Sequence, residues 1–212
     1  MNLASLNQYF NDQNLLINHK KTNFIAFSTS QNKNHFNPEI MLVDCSLDEV
    51  EATKFLGLTI DKNLNWNQHV ESLENRIASG LYALRKMAFF CNTDVLKVIY
   101  FSLIHSHLSY GIVLYGATSK YNLQKLLILQ KRAIRIMLNL GWNESVKSRF
   151  ADLGILTVFG LYIFEVIKYT KQFHLPLLDK KAVHSYNTRH QNYMVEQHNL
   201  QFFTKKTTYI GI

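Results

Sequence analysis

At Trp66 the hydrophobic pattern of this chain changes period, and that change sets what the chain can fold into. Before it come short apolar runs of strand length, at 15–17, 24–27, 40–43 and 55–60, separated by breaks rich in Asn, Lys, Asp and Ser. Such runs predict a small antiparallel sheet. One short helix over 3–12 precedes it, with Leu3, Leu6 and Phe10 at helical spacing. After Trp66, the residues Val70, Leu73, Ile77, Leu81, Leu84 and Ala88 fall on one stripe at the helical period. They predict a long amphipathic helix over about 67–90. A second helix opens near Thr93, which can cap it, with Asp94 in its first turn, and runs toward Ile104. Residues 110–116 form a glycine-punctuated apolar segment, read as a helix with breaks. Residues 145–173 read as more helix, joined by Gly154 and Gly160, and beyond Pro176 the chain becomes polar and irregular. The expected fold class is α+β: a small antiparallel sheet followed by a mostly helical region.

The clearest helix covers 119–140. Leu123, Leu126, Leu127, Ala133, Ile134, Ile136, Met137 and Leu140 project onto one half, and Lys120, Gln124, Lys125, Lys131, Arg132 and Arg135 onto the other. The polar half contains no acid. A face that served solubility alone would mix signs, so an acid-free face favours phosphate as its partner. The whole-chain balance agrees. Formal net charge is +8, and Lys and Arg outnumber Asp and Glu by 12 to 4 within residues 62–150, whereas residues 1–61 hold 4 against 7. The positive charge is therefore carried by the helical middle third, which suits an acidic partner such as nucleic acid or an anionic membrane surface, and equally a merely soluble basic surface.

Several chemistries find no motif. The sequence has no G-x-x-x-x-G-K-[ST] phosphate loop, no G-x-G-x-x-G, no H-E-x-x-H and no G-x-S-x-G. Two-metal phosphoryl chemistry needs clustered carboxylates in an apolar setting, and the cluster Asp48, Glu49 and Glu51 lies in a polar turn. His105 and His107 lack a third ligand nearby in sequence. Cys45 and Cys91, the two cysteines, are far apart, which excludes a disulfide framework or zinc ribbon and fits a reducing compartment, nuclear or cytoplasmic. No stretch is apolar for long enough to predict a membrane span. No metal or other cofactor is expected in the chain itself.

Five phrases in order carry a resemblance. Leu16-Ile17-Asn18-His19-Lys20-Lys21-Thr22 followed by Phe24-Ile25-Ala26-Phe27 is similar to "L-N-x-x-K-T-x-x-I-x-F". Phe55-Leu56-Gly57-Leu58-Thr59-Ile60-Asp61, with Leu64, Trp66, His69 and Val70, is similar to "F-L-G-x-x-I-D-x-x-L-x-W-x-x-H-I". Ser106 to Gly111 with Tyr115-Gly116 is similar to "S-x-L-x-Y-G-x-x-x-W-G", with Tyr115 where Trp is common. Leu129-Gln130-Lys131-Arg132-Ala133-Ile134-Arg135 is similar to "L-Q-K-R-A-I-R", and His184-Ser185-Tyr186-Asn187-Thr188-Arg189 to "H-x-Y-N-T-R". Together these resemble the reverse transcriptases of non-LTR retrotransposons, the LINE or jockey-like group, from about residue 15 to 212.

The resemblance implies that residues 1–61 are the end of a polymerase palm, 62–105 thumb-like helices, 106–175 a C-terminal helical region and 176–212 an irregular tail. It also implies that the F/Y-x-D-D turn belongs upstream of this chain, that the family segment continues past its end, and that Mg²⁺ belongs to the complete enzyme. The implied partner is RNA or an RNA–DNA primer–template duplex. Lys21 matches the family's lysine near the incoming nucleotide, and Gly57 the glycine of the primer-side turn. Arg76, Arg85 and Lys86 on the first long helix, with Lys125, Lys131, Arg132 and Arg135 on the basic helix, are the candidates for backbone phosphates. Two alternatives stand beside the polymerase fragment: a non-enzymatic nucleic-acid-binding helical module, and an inert translated remnant.

Overall fold

The computed structural model describes residues 3–29, 38–42 and 45–172. The His184–Arg189 phrase and the tail over 176–212 lie outside the described residues. Two compact units divide at Gln68.

In the first unit, helix α1 (Leu3–Asp12) ends where Asn14 turns left-handed (φ 54°). The Leu15 amide then donates back to the Phe10 carbonyl at 2.8 Å, the five-residue return of a Schellman cap. Leu3, Leu6 and Phe10 line an apolar hollow shared with Leu15, Ile17 and Leu42. Residues 15–17 form no strand, because the chain is leaving this cap, and Leu16 is exposed. A 3-10 turn comes next, at His19–Lys21.

Among the described residues the predicted strands lie in three two-stranded pairs, two antiparallel and one parallel. β1 (Asn23–Phe24) pairs in parallel with β4 (Asp48–Glu49), β2 (Met41–Leu42) pairs antiparallel with β3 (Cys45–Ser46), and β5 (Ala52–Phe55) pairs antiparallel with β6 (Leu58–Asp61). The apolar run 55–60 is therefore no single strand. It folds back at Leu56-Gly57, with Phe55 opposite Leu58. Both turn residues have positive φ (45° and 84°), as a two-residue type I′ hairpin requires. Glycine meets that requirement at the second position without steric cost.

Asp61 organises the loop after β6. Its carboxylate accepts the amides of Asn63, Asn65 and Trp66 at 3.1, 3.0 and 2.8 Å. These three charge-assisted bonds hold a backbone in which Leu64 and Trp66 both have positive φ. The phrase "D-x-x-L-x-W" is thus a turn built around one carboxylate, and it delivers the chain into α2.

The second unit is helical. α2 (Asn67–Met87) buries Val70, Leu73, Ile77, Leu81 and Leu84, the expected stripe, while Ala88 falls just past its end and is half-buried. α3 (Thr93–Tyr100) is capped by Asn92, not Thr93: the Asn92 side chain accepts the Val95 amide at 3.0 Å and leaves Thr93 as the first helical residue. α3 continues through one π-helical stretch, Phe101–His105, into α4 (Ser106–Ser109), and α5 (Ile112–Tyr115) begins after Gly111. α6 (Lys120–Met137) starts at Ser119, whose side chain accepts the Asn122 amide. It stops at a second Schellman cap, with Asn139 left-handed and Leu140 N–H donating to Arg135 O at 2.9 Å.

α7 (Arg149–Asp152) ends in the same way at Gly154 (φ 64°), and α8 is Val158–Gln172. Gly160 is not a joint but lies inside α8, whose N-terminus is capped by Thr157 accepting the Gly160 amide at 3.1 Å. α8 packs on α4, α5 and α6, and α6 also meets α3. The core there is made by Tyr100, Ile104, Leu108, Ile112, Tyr115, Leu126 and Ile134, all fully buried.

Candidate nucleic-acid interface

α6 sorts its residues by angle. Asn122, Leu123, Leu126, Leu129, Gln130, Ala133, Ile134 and Met137 are buried, on an arc of about 140° at 100° per residue. Leu127 and Ile136 sit at its margins and are half-buried, and Leu140 lies beyond the helix end. Lys120, Gln124, Lys125, Lys131, Arg132 and Arg135 occupy the opposite arc.

The basic side chains are not equally free. Lys125 Nζ lies 3.7 Å from the Glu74 carboxylate of α2 and 5.0 Å from the Tyr121 ring centre. An acid that is absent from α6 itself is thus supplied by a neighbouring helix, so the face is less uniformly positive than its own sequence implies. Arg132 lies over the Trp142 ring at 5.8 Å. Arg135 donates through Nε and Nη2 to the Glu144 carbonyl, a neutral acceptor, at 3.2 and 3.1 Å. Lys131 makes no ion pair among the described residues.

The candidates on α2 do not form one patch. Arg76 and Arg85 are nine residues apart, about half a turn of the helical wheel. Arg85 and Lys86 are exposed, Lys86 lying 5.6 Å over Tyr82, whereas Arg76 is half-buried. In the first unit, Lys21 is exposed at the end of its 3-10 turn, which Asn18 caps by accepting the Lys20 amide at 3.1 Å. Gly57 is the hairpin turn, beside exposed Phe55 and Leu56.

Other residues of the five phrases turn inward. His69 is buried, with its ring edge-on to Tyr115 at 5.0 Å. The Tyr115 hydroxyl donates to the Leu108 carbonyl inside the core, and burial raises its pKa. A Cβ on Gly116 would collide with the Tyr162 ring. Gln130, the polar residue of "L-Q-K-R-A-I-R", is fully buried: its Nε2 donates to Tyr100 Oη at 2.9 Å and to Leu156 O at 3.2 Å, and its Oε1 accepts the Val158 amide at 2.7 Å. Sequence reasoning missed Gln130. Its position on the wheel, between Leu126 and Ile134, was the available signal.

Burial, and after it the Arg76 guanidinium, pushes the His69 pKa down from 6.5 to about 4. Burial also lowers His105, against the opposing pull of Glu165. Folded His69 stays neutral while the unfolded chain takes up a proton below pH 6.5. Stability is therefore full above that value and falls as pH drops toward 4, by about 3 kcal/mol once both states are protonated. Thermal melts between pH 7 and 4 check this: His69→Phe, which keeps a ring but cannot ionise, flattens the decline.

The chain is similar to known polymerases over most of its length. It is 27% identical over 160 residues, 72% of this chain, to the RNA-directed DNA polymerase from mobile element jockey of Drosophila melanogaster. It is 22% identical over 164 residues, or 76%, to the probable RNA-directed DNA polymerase from transposon X-element, and 27% identical over 115 residues, or 53%, to that from transposon BS, both of the same species. This chain is a relative of the jockey-type, non-LTR retrotransposon reverse transcriptases. It spans 17%, 17% and 13% of those three proteins. No protein-family model matches, and no solved structure does. Among the described residues, no group of three His, Cys, Asp or Glu is placed so as to hold a metal ion. Among them, too, no helix is long and apolar enough to cross a membrane.

Proposed function

We propose that this chain is a primer–template-binding part of a retrotransposon reverse transcriptase, with no polymerase chemistry of its own. One observation carries the reading: the acid-free basic arc of α6, backed by a buried apolar arc that fixes its orientation. Lys131, Arg132 and Arg135 hold duplex phosphates, contacts that set register and read little sequence. The chain has no adjacent pair of aspartates, the pair to which the resemblance assigns the metals of the step that joins a nucleotide to a primer. In the complete enzyme that the resemblance implies, Mg²⁺ would be held by carboxylates other than those of this chain. Lys21, at the nucleotide position of the resemblance, then has no bound triphosphate to stabilise.

Two assays test this together. The purified chain binds an RNA–DNA duplex, with an affinity that falls steeply with salt. It does not extend the primer when Mg²⁺ and nucleotides are added. Primer extension by the chain alone overturns the second half of the proposal, and duplex binding indifferent to salt overturns the first.

A further inference from the structure

Tyr121, Lys125, Ile128 and Arg132 succeed one another at spacings of four, three and four, so they form a single row along α6, about 16 Å long at 1.5 Å per residue. Tyr121 is 71% exposed at one end of this row. At the other, Arg132 lies over Trp142, which is 74% exposed. Ile128, between them, is 43% exposed. Each ring thus has a cation above it and a face open to solvent. Two acids border the row: Glu74, paired with Lys125, and Glu144, whose carboxylate accepts the Gly141 amide at 2.6 Å.

Phosphate contact with a duplex needs only the cations. Bases within a duplex are already stacked on each other, and their faces are closed to a side chain. A surface that adds two open aromatic faces to a line of cations suits a strand whose bases are unpaired, each ring taking a base while Lys and Arg track the backbone. We infer that the Tyr121–Trp142 row binds an unpaired nucleic-acid strand by base stacking. The inference rests on the proposed nucleic-acid-binding function and adds strand state to it.

Trp142 reports on its own contact. The chain has two tryptophans, and Trp66 is buried, so quenching by a bound base reads Trp142. Intact chain is titrated with a 12-nucleotide RNA, the same sequence as DNA, and the RNA–DNA duplex. Single strands quench the emission, the duplex does not, and Trp142→Phe removes the signal. Tyr121→Ala with Trp142→Ala lowers single-strand affinity about 30-fold or more, from stacking losses of about 1–3 kcal/mol for each of two bases, and leaves duplex affinity within about twofold. Quenching by RNA alone identifies a template strand, and quenching by both RNA and DNA a strand of either kind. If the duplex binds but no strand quenches Trp142, or the double variant weakens duplex and single strand equally, the inference fails alone. If no nucleic acid binds, it fails together with the reading beneath it. Both rings are on the surface, so the variants fold, and an unchanged circular dichroism melt verifies that.

Discussion

Gln130→Ala lowers the unfolding free energy by about 3–5 kcal/mol, the largest stability loss expected from a single polar side chain here. Gln130 is fully buried and joins three elements: α3 through the Tyr100 hydroxyl, the turn before α8 through Leu156 O, and the first amide of α8 through Val158. That amide is one of the donors a helix start leaves without an internal partner. Truncation strands the amide, leaves the Tyr100 hydroxyl without its 2.9 Å donor, and opens a cavity. Tyr100 does not ease the loss by ionising, since burial, opposed by the Gln130 hydrogen bond, raises its pKa to about 12. Gln130→Leu separates the causes. It restores most of the volume without the three bonds, so a loss close to that of alanine assigns the energy to hydrogen bonding, and a small loss assigns it to packing. Urea unfolding of the three proteins makes the comparison.

Reversing Lys131, Arg132 and Arg135 together to Glu weakens duplex binding about a hundredfold or more. Each charge contributes about 1 kcal/mol against a phosphate at water-like dielectric, and reversal turns attraction into repulsion. Screening at physiological salt removes about half of that sum and leaves about 3 kcal/mol. Lys125 is left out because Glu74 already engages it. The Arg135 bonds to the Glu144 carbonyl are lost as well, so a melt of the variant accompanies the binding assay. Reversal of Arg76 and Arg85, on opposite sides of α2, produces a smaller loss.

Local pattern made some of this legible in the sequence and hid the rest. α2 and α6 were readable because each carries an uninterrupted apolar stripe, and the angle that buries Leu126 and Ile134 also turns Lys131 and Arg132 outward. The β5–β6 hairpin was not readable. Phe55-Leu56-Gly57-Leu58 is apolar throughout, and its turn requires positive φ at Leu56, which a leucine rarely adopts. The π stretch at Phe101–His105 leaves the hydrophobic period almost unchanged, so it gave no signal. The Lys125–Glu74 pair and the Gln130 hub link residues 51 and 26–30 positions apart. No window along the chain contains both partners. For the same reason the motif phrases identified relatives without distinguishing the residues that face solvent, such as Arg132, from those that hold the core, such as His69, Tyr115 and Gln130.

The most direct measurement of the central claim is the dependence of RNA–DNA duplex affinity on salt, for the unaltered chain and for Lys131→Gln, Arg132→Gln and Arg135→Gln combined. A steep slope of log affinity against log salt is expected for the unaltered chain, and a slope shallower by about 2–3 for the variant, as three released counterions require. Equal slopes in the two proteins would contradict the assignment of α6 to the phosphate backbone.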